Sequence, residues 1–290
     1  MKIKTLASGG LALSLLGFAF CAQAQVVVSD NAGNYYNETP NSPNNWGTQS
    51  GATSSTTPAS PETVGITDWT FSNTVNNGNT NGTLLESSAT LGAGQLNINS
   101  GGSTGHSWTL YANGGGEALA MATFSGSMAA GQTLTVDMAN NFVANGGNVG
   151  LNLMSSGGTT LYDFQFQGGA THYTNVWDTA SGYLGAITTL AYTTNGLQIA
   201  ATEGAGNALT ITITEQSSQG VFAGASWSTN FVTTANIGKI QFFDNNGAGN
   251  PGGGDAYNVA FNNLVVPEPS TLALVGFSGL MAVLIARRRK

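Results

Sequence analysis

The side chains able to do bond-making chemistry are few and scattered. Two histidines, His106 and His172, stand far apart, and no G-x-S-x-G nucleophile turn, His-Glu-x-x-His zinc pair, phosphate loop or dinucleotide fingerprint accompanies them. Glycoside hydrolysis needs only two carboxylates. Asp137, Asp163, Asp178, Glu203 and Glu215 each stand alone, and the E-x-D-x-x-E spacing that sets catalytic acids on one strand face is absent. No catalytic residue is assigned, and the expectation is a protein that is not an enzyme.

Sugar binding asks for less: an aromatic face against the C–H side of a ring, with amides and carboxylates for its hydroxyls. Trp108, Tyr111, Trp177, Tyr183 and Trp227 are the candidate rings. For any one of them, alternating strand packing favours a place in the core. No cofactor is expected. If a metal binds, hard oxygen ligands point to calcium, cradled by Asp244, Asn246 and Asp255 in the run from Asp244 to Asn258. That run matches no known calcium loop, and a solvated Gly/Asn loop is the stronger reading.

Charge narrows the partners. Only 7% of the 290 residues are charged, and the formal net charge is -7. Between Gln25 and Val266, Lys239 is the one basic side chain against thirteen carboxylates, a formal charge of −12. A nucleic-acid binder needs a basic face to replace phosphate counterions, so no nucleic-acid partner is expected. Ion pairs contribute almost nothing to the fold, which must rest on apolar burial and hydrogen bonds.

The remaining basic residues sit at the two ends. Residues 1–24 read as a secretory signal peptide: Lys2 and Lys4, an apolar run from Leu11 to Phe20, then Ala22-Gln23-Ala24, with signal peptidase cleaving between Ala24 and Gln25. Cys21, the only cysteine, leaves with it, so the mature chain has no disulfide or thiolate chemistry. At the far end, Pro267-Glu268-Pro269 precedes an uncharged stretch, Leu272–Ala286, and then Arg287, Arg288, Arg289 and Lys290. As a helix that stretch spans about 22 Å, short of a full bilayer crossing. The basic cluster stays cytoplasmic and acts as a stop-transfer signal. The two prolines keep the approach extended, as a protease requires.

This tripartite tail, residues 267–290, resembles the PEP-CTERM sorting signal. The resemblance implies that Pro267, Glu268 and Pro269 are the processing motif read by an exosortase. It also implies a transient stay in the inner membrane, then transfer to the cell surface or extracellular matrix. The resemblance covers only the tail.

Elements that would position any site follow from the pattern between the ends. Residues 25–62 are polar and rich in Gly, Ser, Thr and Pro, expected as a flexible arm with one edge strand at Val26–Ser29. From 63 to 266 the chain alternates. Leu209, Ile211 and Ile213 fall on one face and Thr210, Thr212 and Thr214 on the other. The same period marks Leu134–Met138, Val149–Leu153 and Leu161–Phe166. Further strands are expected at Val64–Phe71, Gln95–Ile98, Ser107–Tyr111, Leu119–Phe124, Ile187–Tyr192, Leu197–Ala200, Val221–Trp227, Ile240–Phe243 and Tyr257–Val265. Asn-Gly and Gly-Gly signals separate many of them. The expected fold is all-β: a two-sheet antiparallel β-sandwich, jelly-roll-like, with a solenoid disfavoured because no fixed repeat period occurs.

The stretch Ser107–Val266 is also similar to secreted jelly-roll modules of the concanavalin-like or carbohydrate-binding kind. The similarity rests on Trp108-Thr-Leu-Tyr-Ala-Asn-Gly, on Gly131-Gln-Thr-Leu-Thr-Val-Asp137 and on the closing Ala260–Val266 strand. The expected function is an exported structural protein associated with exopolysaccharide. A glycan-binding module is the alternative, and a glycosidase-like enzyme the third reading.

Overall fold

The computed structural model describes residues 26–32, 54–58, 63–74, 81–87, 106–112, 116–140, 143–178, 185–193, 195–218, 221–245 and 259–267. These form a two-sheet antiparallel sandwich. The first sheet contains β1 (Val28–Asp30), β4 (Asn81–Ser87), β5 (His106–Ala112), β7 (Thr133–Asn140), β12 (Leu197–Glu203), β13 (Ala208–Ser218), β14 (Val221–Val232) and β16 (Val259–Val266). The second contains β2 (Ser54–Pro58), β3 (Ile66–Thr74), β6 (Glu117–Phe124), β8 (Asn148–Ser155), β9 (Thr160–Gln167), β10 (His172–Asp178), β11 (Gly185–Ala191) and β15 (Ile237–Asn245).

Strand order is β14-β13-β12-β7-β16-β5-β4, with β1 on β16, in the first sheet. In the second it is β11-β10-β9-β8-β15-β6-β3-β2. The chain crosses between sheets at most steps from β5 to β8, and again from β14 to β16, giving a jelly-roll-like weave. Its last two strands enter the middle of their sheets, β15 between β6 and β8, and β16 between β5 and β7.

Alternation drives burial directly. In β6, Ala118, Ala120, Ala122 and Phe124 are buried while Glu117, Leu119, Met121 and Thr123 are half-exposed. Leu209, Ile211 and Ile213 are fully buried, as their spacing predicts. The centre is aromatic: Phe242 and Phe261 stack at 3.9 Å and 5°, with Trp69 and Trp108 at 5.8 and 6.2 Å from Phe242. In β16 the period is reset by a bulge at Asn262 and Asn263, the latter left-handed at φ 53. Val259 and Phe261 before it, and Leu264 and Val266 after it, are all fully buried.

The polar arm differs from expectation where it is described. Asp30, in β1, accepts hydrogen bonds from Trp69 Nε1 at 3.0 Å and Thr63 Oγ1 at 2.7 Å, pinning the arm across the sandwich end. Ser54–Pro58 is paired to β3 as β2. Strands with unpaired backbone, β3 at its outer edge and the end of β16, recruit these segments, a tertiary effect that composition does not reveal. Strands β4 and β10 are likewise additions to the expected set. The expected strand at Gln95–Ile98, the signal peptide at 1–24, its cleavage site at Ala24 and Gln25, and the apolar tail helix lie outside the described residues. Among the described residues no helix is long and apolar enough to cross a membrane.

Candidate functional site

The candidate rings separate once folded. Trp108 is a correction: it is fully buried, with its ring 5.1 Å from that of Trp69. Its position on the inward face of β5 makes it core, not a surface platform. Tyr111 is half-buried on the opposite face of the same strand. Trp227 is half-exposed on the edge strand β14, where it packs against the core from the rim. Trp177 lies in β10 in register with Asp163, its side chain outside the described residues, as is all of Tyr183. Of the calcium candidates, Asp244 is fully buried on the inward face of β15. Asn246 and Asp255 lie outside the described residues, and among the described residues no cluster of three His, Cys, Asp or Glu could hold a metal.

A different group is brought together. The outward face of the second sheet holds a recess of about 190 Å³ lined by Glu117, Leu119, Asn148, Asn152, Asp163, Gln241, Phe243 and Asn245. Register explains the assembly. Asp163 pairs with Asn152, and Asn152 with Gln241, so one row crosses β9, β8 and β15. Four residues along, Asn148, Asn245 and Glu117 form a second row. Between the rows, Phe243 lies beside Gly150. A Cβ there would come within 2.0 Å of the Phe164 carbonyl oxygen and 2.9 Å of Phe243 Cζ, so glycine is what lets the ring lie down on the sheet.

The polar groups of the recess are rich in acceptors. Asn152 Nδ2 donates to Gln241 Oε1 at 3.0 Å, and Asn148 Nδ2 donates to Gln165 Oε1. Asn152 Oδ1 and Asp163 Oδ1 receive no hydrogen bond, although both atoms are removed from bulk water. Such oxygens are costly to leave without a donor. Desolvation pushes the Asp163 carboxyl up to about 7, so near neutrality it is partly protonated.

Glu203 is a second carboxyl of this kind, inside the sandwich. Its Oε1 accepts the Ile237 amide at 2.7 Å, its Oε2 has no partner, and burial raises it to about 7 against that hydrogen bond. Asp137 is also raised by burial, while hydrogen bonds from Asn263 and Gln198 act the other way. The ordinary values are 3.8 for Asp163 and 4.5 for Glu203. Between those values and about 7 the native state binds more protons than the unfolded chain. The contribution of these two groups to stability is therefore full below about pH 4 and is lost as pH rises to about 7. Thermal melts from pH 4.5 to 8 should show a falling midpoint. Glu203→Gln and Asp163→Asn should each raise the midpoint at pH 8 and flatten the slope. A wild-type midpoint that climbs through this window would contradict the assignment.

The tail begins where the fold stops. Val266 is fully buried and pairs with Val28, and the next residue, Pro267, is exposed. Glu268, Pro269 and the basic residues Arg287 to Lys290 lie outside the described residues. Residues 265–290 match the family of the PEP-CTERM protein-sorting motif. The tail is a PEP-CTERM sorting motif. That motif implies exosortase processing, export and cell-surface sorting. It begins at the edge of the sandwich with no spacer.

No curated protein matches the chain in sequence. Among solved structures, the body is similar to a protein of unknown function from Shewanella oneidensis MR-1, with 10% identity, a TM-score of 0.35 and coverage of 68% of this chain and 79% of that one. It is similar to the Emp47p carbohydrate recognition domain, at 9% identity and TM-score 0.35, covering 67% of this chain and 88% of that one. A structure described under endo-acting O-glycanases of the human gut microbiota gives 11%, 0.36, 67% and 82% respectively. With likenesses this distant, the fold assignment rests on the strand order itself.

Proposed function

We propose that the protein is an exported, surface-sorted sandwich associated with exopolysaccharide, which holds a hydroxyl-rich glycan in the second-sheet recess without cleaving it. The observation that supports this reading is the pair of acceptor oxygens without donors, Asn152 Oδ1 and Asp163 Oδ1, in the recess that contains Phe243. A sugar brings O–H groups to the amides and carboxyls that line the recess and a C–H face to Phe243 and Leu119. The carboxyl groups of Glu117 and Asp163 line the recess, and no arginine or lysine lines it. That balance favours neutral over anionic glycans.

Spacing argues against hydrolysis. Glu117 and Asp163 stand four residues apart along the strands and three strands apart across them. At about 3.3 Å per residue and about 4.8 Å per strand, their backbone positions are roughly 19 Å apart. A glycosidase needs its two carboxyl groups within about 5 to 9.5 Å.

The test is a panel of neutral and uronic polysaccharides presented to the processed protein. Neutral chains should bind, and Asn152→Ala with Asp163→Ala should weaken binding at least about tenfold, the worth of one to two hydrogen bonds. Binding that is unchanged in both variants, or a preference for uronic chains, would remove the recess from the function.

A further inference from the structure

Among the described strands, the outermost are β14 and β4 in the first sheet and β11 and β2 in the second. Proteins keep such edges from pairing with other chains by placing charge or proline on them. On one side of the sandwich β4 carries Glu86 and β2 carries Pro58. On the other side β11 (GAITTLA) and β14 (VFAGASWSTNFV) carry no charge and no proline. These two strands pack beside each other at one end of the molecule. Phe231 of β14 closes that end by stacking on Tyr162 of β9 at 5.8 Å.

Three of the four exposed large apolar side chains flank these two strands. Among the described residues the exposed large hydrophobics are Val64, Tyr192, Val221 and Val232. Val221 and Val232 are the first and last residues of β14, and Tyr192 follows β11 directly. Trp227 and Phe231, on the inward face of β14, are only partly covered by the core. No described strand pairs with the outer side of β14 or of β11.

We infer that this end of the sandwich is an interface with a second copy of the chain, whose own β14 and β11 edges pair with these and extend both sheets. A partner that satisfies both edges at once must offer two uncharged edges lying side by side, as β11 and β14 do. The chain's own β11/β14 end has that form, and a twofold axis makes one patch complementary to itself. Charge points the same way. The body between Gln25 and Val266 has one lysine and thirteen carboxylates, so two copies repel one another unless they meet where carboxylates are absent. The two strands at this end carry no carboxylate.

The experiment is sedimentation of the processed protein over a range of concentrations, beside Ser228→Lys and Val232→Lys. Both substitutions lie on the outward face of β14, away from the core. Thr123→Lys, on the outward face of β6, is the control. The wild type and the control should sediment as dimers. Each β14 lysine should raise the dissociation constant about tenfold or more, because like charges meet across the new pairing. Circular dichroism and melting midpoints verify that the variants fold. Amide exchange should show β14 protection that grows with wild-type concentration, a readout that needs no variant. A wild type that stays monomeric at all concentrations, or lysine variants that dimerise as tightly as the wild type, would overturn the inference.

Discussion

Replacing Glu268 and Pro269 by alanine should leave the sandwich folded and exported but held in the membrane with its tail at nearly full length. The first described residue beyond the fold is Pro267, exposed directly after the buried Val266. The described sandwich ends at that point, so the melting midpoint of the body should not move. The uncharged stretch behind the motif in the sequence is short and is followed by Arg287 to Lys290, a basic cluster expected to stay cytoplasmic. Without the motif, no cut should separate the body from the apolar stretch. Deleting residues 267–290 should have the opposite outcome: a soluble body in the periplasm that misses the surface. Cell fractionation with mass spectrometry of the tail, in a host that carries an exosortase, reads both results. An alanine variant still trimmed and delivered to the surface would reduce the tail to an anchor.

Much of the sandwich was legible because its strands obey a strict period of two. Leu209, Ile211 and Ile213 against Thr210, Thr212 and Thr214 is the plainest case, and the structure buries the first set and turns the second outward. Legibility fails where pairing, not pattern, makes the strand. Ser54–Pro58 has no apolar face, yet the backbone groups of β3 need a partner and hold it. The Asn262–Asn263 bulge is also hidden. Ala260 to Val266 reads as one strand, but only the left-handed Asn263 lets Phe261 and Leu264 both face inward.

The candidate site was less legible, for a related reason. Tryptophans attract a sugar-binding reading, but Trp108 is large and apolar on an inward position, so the core takes it. Asn152, Asp163 and Gln241 are far apart in sequence and individually ordinary. Only the antiparallel registers of β8 with β9 and β15 set them in one row. The one advance signal was parity. Asp163 alternates with Tyr162 and Phe164, so it had to face outward, but nothing in the chain announces which outward residues share a recess.

Phe242→Ala should be the most destabilising single change in the body. The ring is fully buried, stacks on Phe261 at 3.9 Å and meets Trp69 and Trp108, so it joins the two central strands β15 and β16 across the sandwich. Truncation leaves a cavity among rigid rings that cannot collapse into it, and the expected cost is about 3–5 kcal/mol. At about 2–4 °C per kcal/mol for a domain of this size, the midpoint should fall by roughly 6–20 °C. Gln241 precedes it in the chain on the opposite face, where its Oε1 accepts a hydrogen bond from Asn152. Gln241→Ala should cost about 1 kcal/mol or less, the worth of one partly solvated hydrogen bond. Urea unfolding of the two variants side by side measures the difference. Similar losses would mean that β15 does not present alternate residues to core and solvent, and both the aromatic centre and the recess on its far side would have to be redrawn. A large gap fixes the parity of the strand that carries Phe242 inward and Gln241 outward, on which the recess depends.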